Sequence, residues 1–209
     1  MRGADSQGRL LVIACGALAK ELMTLIKVNG LDQVDVECLP AQLHNTPQFI
    51  TAAVEKKLDR AADRYSRVFV AYADCGTGGM LDRMLEGREG TVERLPGAHC
   101  YEFFAGSKLF ESLQERELGT FYLTDYLARH FERILWQGLG LDRWPALRDE
   151  YFRNYRRLVY LSQLDDPTLI DKARTAASRL GLEFEHVHVG YGELATALLR
   201  EAPNGGAAA

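Results

Sequence analysis

Val68-Phe69-Val70-Ala71-Tyr72 is followed by Asp74-Cys75-Gly76-Thr77-Gly78-Gly79 and then by Met80, Leu81, Met84 and Leu85. A short β-rich apolar run reads as a strand buried on both faces, the glycines as a turn, and apolar residues three and four apart as one face of a helix. The same design stands on either side of it. Leu10-Leu11-Val12-Ile13-Ala14 leads through Cys15-Gly16 into Leu18, Leu22, Leu25 and Ile26. Leu158-Val159-Tyr160-Leu161 leads through Asp165-Asp166-Pro167, a helix start with proline in its first turn, into Leu169, Ile170, Ala173, Ala177 and Leu180.

Each unit adds a second strand and helix. Strand 34–39 precedes a helix over about 47–63, strand 91–95 a helix over 107–115, and strand 184–189 a helix over 192–201. The linkers also echo one another, with Cys38-Leu39-Pro40-Ala41 matching Arg94-Leu95-Pro96-Gly97. The expected fold is therefore α/β, a layered parallel sheet built from three β-α-β-α pseudo-repeats with helices on both faces. One domain is expected over residues 1–202, with a flexible tail over 203–209. Residues 119–156 break the pattern and read as an aromatic-rich helical insertion, whose stretch 120–137 carries apolar residues at helical spacing and ends at Gly138. Such a stretch reads first as a helical cap packed on the sheet, with an oligomer surface as an alternative; leaving the second unit shortly after Cys100, it can also cross the loop end of the sheet as a lid. Arg129, His130 and Arg133 would then face an anionic substrate.

A formal net charge of -4 removes the basic footprint of a nucleic-acid or anionic-membrane binder. The apolar runs are far shorter than the roughly 20 residues that span a bilayer, so neither nucleic acid nor membrane is an expected partner. Met1-Arg2-Gly3-Ala4-Asp5 does not read as a secretory signal, and the expected compartment is the reducing cytoplasm. Cysteines there are ligands, nucleophiles or packing rather than disulfides.

In open α/β sheets, ligands bind beyond the carboxyl ends of the strands. Cys15 ends the first strand, Cys75 follows the first strand of the second unit, and Cys100 lies in the turn Pro96-Gly97-Ala98-His99-Cys100. The equivalent turn of the first unit, Pro40-Ala41-Gln42-Leu43-His44, brings His44 to the place that Cys100 takes in the second. Three thiols and an imidazole are thus expected at one face, a donor set that suits zinc; three thiolates with a weaker fourth partner also suit an iron–sulfur cluster. No Cys-x-x-Cys is present, so topology rather than spacing carries the expectation. The plain alternative is that the cysteines fill space in the core, which is the reading adopted for Cys38.

Gly76, Thr77, Gly78 and Gly79 place flexible backbone before a helix start, which reads either as a cradle for a carboxylate or phosphate or as a plain tight turn ending in Asp82. The run is neither a Walker loop nor a G-x-G-x-x-G fingerprint. Asp74, His99 and Glu102 beside the thiols are candidates for proton transfer, with Tyr101 able to hydrogen-bond a ligand. His186 and His188 alternate along a strand and share a face, a spacing that also suits a metal. Thr124 reads as a helix cap.

Ile13-Ala14-Cys15-Gly16-Ala17-Leu18, Leu39-Pro40-Ala41-Gln42-Leu43-His44-Asn45, Tyr72-Ala73-Asp74-Cys75-Gly76-Thr77-Gly78-Gly79 and Ala98-His99-Cys100-Tyr101-Glu102-Phe103 resemble the bacterial and archaeal "domain of unknown function 1638" family. Phe121-Tyr122-Leu123-Thr124-Asp125-Tyr126-Leu127 and residues 151–161 extend the resemblance over nearly the whole chain. It implies a link to corrinoid-dependent methyl transfer, with a corrinoid, a corrinoid protein or a small anionic or methylated substrate as partner. A looser, architectural similarity is to quinolinate synthase, which holds an iron–sulfur cluster through three cysteines; here two thiols fall in the second unit and none in the third.

Three functional classes follow. The first is a Cys-ligated metal enzyme or accessory factor. The second is a non-catalytic module docking on a corrinoid or methyltransferase partner through the aromatic insertion, with structural cysteines. The third is a metal-free thiol enzyme with Cys75 as nucleophile and His99 as base. A homo-oligomer is compatible with all three.

Overall fold

The computed structural model describes residues 8–88 and 90–203. The chain is α/β, with every strand pair parallel, but its strands form two sheets rather than one. Its contacts cluster into two compact units, residues 1–103 with 193–209, and residues 104–192.

The first unit holds β1 (Leu10–Cys15), α1 (Ala19–Val28), β2 (Val34–Leu39), α2 (Ile50–Ala61), β3 (Arg67–Ala71), α3 (Met80–Leu85) and β4 (Val92–Arg94). Helix α4 (Cys100–Ala105) carries the chain out of this unit, and α9 (Gly192–Glu201) returns to it. Sheet order is β2-β1-β3-β4. From β1 the chain steps outward to β2, then crosses back to β3 on the other side of β1. The gap between the carboxyl ends of β1 and β3 is therefore the place where strand order reverses and where loops diverge to leave a crevice.

Strand alternation decides which side chains line the core. Leu11 and Ile13 of β1 and Val68 and Val70 of β3 pack with Ile50, Val54, Leu58 and Ala61 of α2, and Cys15, Tyr72 and Cys75 belong to the same cluster. Leu10, Val12, Ala14, Phe69 and Ala71 are buried on the opposite face, which is why both strands read as continuous apolar runs. Arg67 is tied to α9 through an ion pair with Glu201 at 2.5 Å.

The second unit holds α5 (Ser107–Arg116), β5 (Thr120–Leu123), α6 (Asp125–Arg129), α7 (Leu147–Phe152), β6 (Arg157–Ser162), α8 (Pro167–Leu180) and β7 (Glu183–His188), in sheet order β5-β6-β7. This corrects the helical insertion expected over 119–156. Its first residues are a strand, with Thr120, Tyr122 and Leu123 buried and paired in register with Arg157, Val159 and Tyr160. The helix starts where Thr124 accepts from the Leu127 N–H, so the expected cap holds, and a π-helical turn over Glu132–Trp136 follows. The β-α-β-α order of the three pseudo-repeats is retained, and the expected helices over 47–63 and 107–115 appear as α2 and α5. Of the expected tail over 203–209, residues 204–209 lie outside the described residues. No described helix is long and apolar enough to cross a membrane.

Candidate functional site

Cys15 is the last residue of β1 and lies in register with Leu39 of β2. Its sulfur accepts the Ala17 N–H at 3.5 Å, at the start of a short 3-10 turn. Gly16 is needed there, since a Cβ would stand 2.9 Å from the Leu39 carbonyl oxygen. On the other side of the strand reversal, β3 and β4 stay hydrogen-bonded beyond their strand ends. Asp74 N–H donates to the Gly97 carbonyl (3.0 Å) and Cys75 N–H to the Ala98 carbonyl (2.8 Å). Cys75 is thereby laid beside the turn that ends at Cys100, the first residue of α4. Three loops deliver one thiol each.

The thiols lie within electrostatic reach of one another. Burial raises the Cys15 pKa, and pushes Cys75 up to about 12 with Cys15 adding to the shift. Burial also raises Cys100 well above the ordinary thiol value, helped by Cys75 and Cys15. All three are free and half-buried. Cys38, read from sequence as packing, is instead exposed on the edge strand β2.

Tyr72 was not singled out by the sequence. Ala14 pairs with Ala71, so the next residues along, Cys15 and Tyr72, stand side by side on the α2 face. Tyr72 is only 2% exposed, and its buried hydroxyl has the Cys15 thiol as its hydrogen-bonding neighbour, with no oxygen or nitrogen partner among the described residues. Burial raises its pKa, and the neighbouring Cys15, Cys75 and Cys38 thiols raise it further. The alternation Val68, Val70, Tyr72 was the available signal: it puts a phenol at the end of a buried strand face.

The other candidates have mainly local partners. Asp74 closes the glycine loop on itself: its carboxylate accepts the Thr77 hydroxyl (2.6 Å), Gly79 N–H (2.7 Å) and Gly78 N–H (3.1 Å). Burial alone would raise the Asp74 pKa, but these donors and the Gly76 N–H together hold it below the usual carboxylate value. The amides expected to cradle an external anion thus face an internal one, and α3 is too short to add much dipole. Cys75 (φ 50°), Gly76, Gly78 and Gly79 all take positive φ, which the tight loop demands.

Glu102 accepts the Ala98 N–H at 3.0 Å and closes the turn before Cys100; a Cβ on Gly97 would stand 2.8 Å from its Oε2. His44 and His99 are both exposed, yet close surroundings lower the His44 pKa, and His99 lowers it further. His99 lies 6.1 Å from the Tyr101 ring. Among the described residues no three His, Cys, Asp or Glu side chains form a ready metal-binding group. Cys15, Cys75 and Cys100 form a neighbourhood of donors, not a closed coordination shell, and His44 and His99 form a pair of their own.

Arg129 and His130 belong to the second unit. Arg129 lines a groove of about 510 Å³ between α6 and α8, with Lys172 and Arg179 among its walls. His130 packs on Tyr126 with ring centroids 4.6 Å apart; burial lowers its pKa, as do Arg133, Arg129 and Lys172.

The family model described as "Protein of unknown function (DUF1638)" matches residues 38–198, and the chain belongs to that family. The matched span includes Cys75 and Cys100 and leaves out Cys15. No curated protein and no solved structure matches the chain.

Proposed function

We propose that this DUF1638 protein is a metal-dependent enzyme or accessory factor whose centre is held by the thiolates of Cys15, Cys75 and Cys100, with His44 or His99 available as a nitrogen donor. One observation carries the reading: three half-buried thiols and a buried phenol set against the Cys15 thiol meet beside the strand reversal of the first sheet. Packing alone gives no reason to gather three thiols whose ionisation is opposed by burial and, at Cys75 and Cys100, by a neighbouring thiol, whereas a soft cation offsets both the burial cost of the thiolates and their repulsion. The Tyr72 hydroxyl is the kind of donor that steadies a metal-bound thiolate. A bound zinc would supply Lewis acidity, and a bound iron–sulfur cluster electron transfer.

The chain's own residues would do the rest. The β3–β4 hydrogen bonds hold Cys75 and Cys100 side by side, Asp74 fixes the loop that presents Cys75, and Glu102 fixes the turn before Cys100. Because the shell is not closed, loading must draw the thiols together. Methyl transfer with a corrinoid partner is proposed on the family resemblance alone.

The test is metal and sulfide analysis with a visible spectrum on protein purified without oxygen. A brown sample with iron and sulfide, or a colourless one with stoichiometric zinc, supports the centre. A protein that holds neither, and that takes up neither zinc nor iron with sulfide on reconstitution, overturns it and leaves the thiol-enzyme and docking-module readings.

A further inference from the structure

The second unit carries a separate cluster at the carboxyl edge of its own sheet. Register places Tyr160 beside His186 and Ser162 beside His188 on the neighbouring strands β6 and β7. Ser162 is fully buried (0% exposed), and two imidazole nitrogens converge on its hydroxyl: His186 Nε2 at 2.9 Å and His188 Nδ1 at 3.0 Å. Both histidines keep open surface. The His186 ring stacks on Tyr160, centroids 5.3 Å apart and planes 19° from parallel. Tyr160 is fixed in turn, because its hydroxyl donates to Asp125 Oδ1 at 2.6 Å, and that carboxylate also accepts the Gln163 and Leu164 N–H groups at 3.0 Å each.

We propose that His186 Nε2, His188 Nδ1 and Ser162 Oγ form a binding site for a divalent transition-metal ion such as zinc or nickel, with water completing the shell. Three lines of chemistry support the assignment. First, imidazoles two residues apart on a strand project from one face, and here both nitrogens already lie within 3.0 Å of the same hydroxyl.

Second, metal–nitrogen bonds of roughly 2.1 Å put neighbouring donors roughly 3.0 Å apart in an octahedral shell and roughly 3.4 Å apart in the tetrahedral shell that zinc prefers. The two N···O separations, 2.9 and 3.0 Å, match the octahedral edge and lie a few tenths of an ångström inside the tetrahedral one. Third, one hydroxyl has one proton, so it can donate to only one of the two nitrogens and must accept an N–H from the other. A cation lets both nitrogens present lone pairs.

A single histidine would suffice to satisfy a buried serine. Two, held by one hydroxyl and one aromatic floor, form a preorganised pair whose outer edges face water. Burial, then His188 and Arg174, keep His186 neutral, the state a metal ligand needs, while Asp165 and Asp125 act in the opposite sense and favour a cation there.

The test reads the two rings directly and so is separable from metal uptake by thiols. Long-range proton–nitrogen NMR on the full-length protein follows the imidazole nitrogens as zinc chloride is added. The expected result is that His186 Nε2 and His188 Nδ1 move to metal-bound positions together, with one dissociation constant. His188→Gln should weaken zinc binding at His186 by about tenfold or more, and Ser162→Ala should weaken it less while leaving both rings coordinated.

Three results on the wild-type protein alone would overturn the site. The rings do not respond below about 1 mM zinc; they respond with separate constants; or the nitrogens that shift are those facing away from Ser162.

Discussion

Tyr72 and Cys15 occupy neighbouring places on one face of the β1–β3 pair, the buried phenol set against the thiol and the thiol held protonated by its surroundings. A hydroxyl whose one neighbour is a weak sulfur acceptor gains little in the metal-free fold. Tyr72→Phe should therefore change metal-free stability by no more than about 1 kcal/mol. The same change should weaken metal retention or shift the absorption of the loaded centre. Equal losses of stability and of metal would mean that Tyr72 is packing only.

Single serine replacements of Cys15, Cys75 or Cys100 should each remove most of the bound metal while circular dichroism and denaturation midpoints stay close to the parent. Cys38→Ser should leave metal content unchanged, since Cys38 is exposed on the edge strand. Metal loss on replacing Cys38 would move the centre toward β2.

The thiol pKa values set a pH dependence with a definite sign. Burial raises Cys75 from 9.0 to about 12, and Cys15 and Cys100 are raised as well, so the folded state disfavours thiolates that the unfolded chain would form. The stability contributed by these groups is complete below about pH 9 and is lost as pH rises from there toward 12. Metal-free protein should lose stability through that range, and loaded protein should resist the loss, because a coordinated thiol is already deprotonated. Melting curves at several alkaline pH values, with and without chelator, separate the two. Iodoacetamide at pH 7.5 should label Cys38 well before the other three.

Gly78 takes φ +63° in the loop that Asp74 closes, and nothing stands within 4 Å of where its Cβ would be. The cost of Gly78→Val is thus backbone strain rather than collision, about 1–2 kcal/mol. Asp74→Ala should cost a comparable amount by leaving the Gly78 and Gly79 N–H groups without their acceptor. Urea denaturation of both variants checks this.

Legibility from sequence followed what is local. Residues 10–15 and 68–72 announce themselves because both strand faces are buried, and their ends locate Cys15 and Cys75, while Cys100 is located by the turn after β4. Strand β5 was lost because Thr120-Phe121-Tyr122-Leu123 runs directly into the helix that Thr124 caps, and four residues cannot set a period of their own. Of the two readings of the glycine loop, the tight turn is the one its hydrogen bonds describe, with Asp74, three residues before Thr77, as the acceptor. Tyr72 beside Cys15, and Ser162 between two histidines, depend on which strands become neighbours and in what register, which no single segment encodes.

The strongest single point in the second unit is Asp125, 0% exposed and accepting the Tyr160 hydroxyl and the Gln163 and Leu164 N–H groups, while its own N–H donates to the Gln163 side chain at 2.8 Å. These bonds join the start of α6 to the loop that leaves β6. Asp125→Ala would strand one phenol and two amides in a buried setting, and the expected loss is about 3–5 kcal/mol. Tyr160→Phe removes a single donor, keeps the ring beneath His186, and should cost about 1–3 kcal/mol. Denaturation midpoints should fall in that order with unchanged slopes. If Tyr160→Phe proved the more damaging, the network would be anchored by the aromatic stack rather than by the carboxylate, and the preorganisation argued for His186 would have to rest on Ser162 alone.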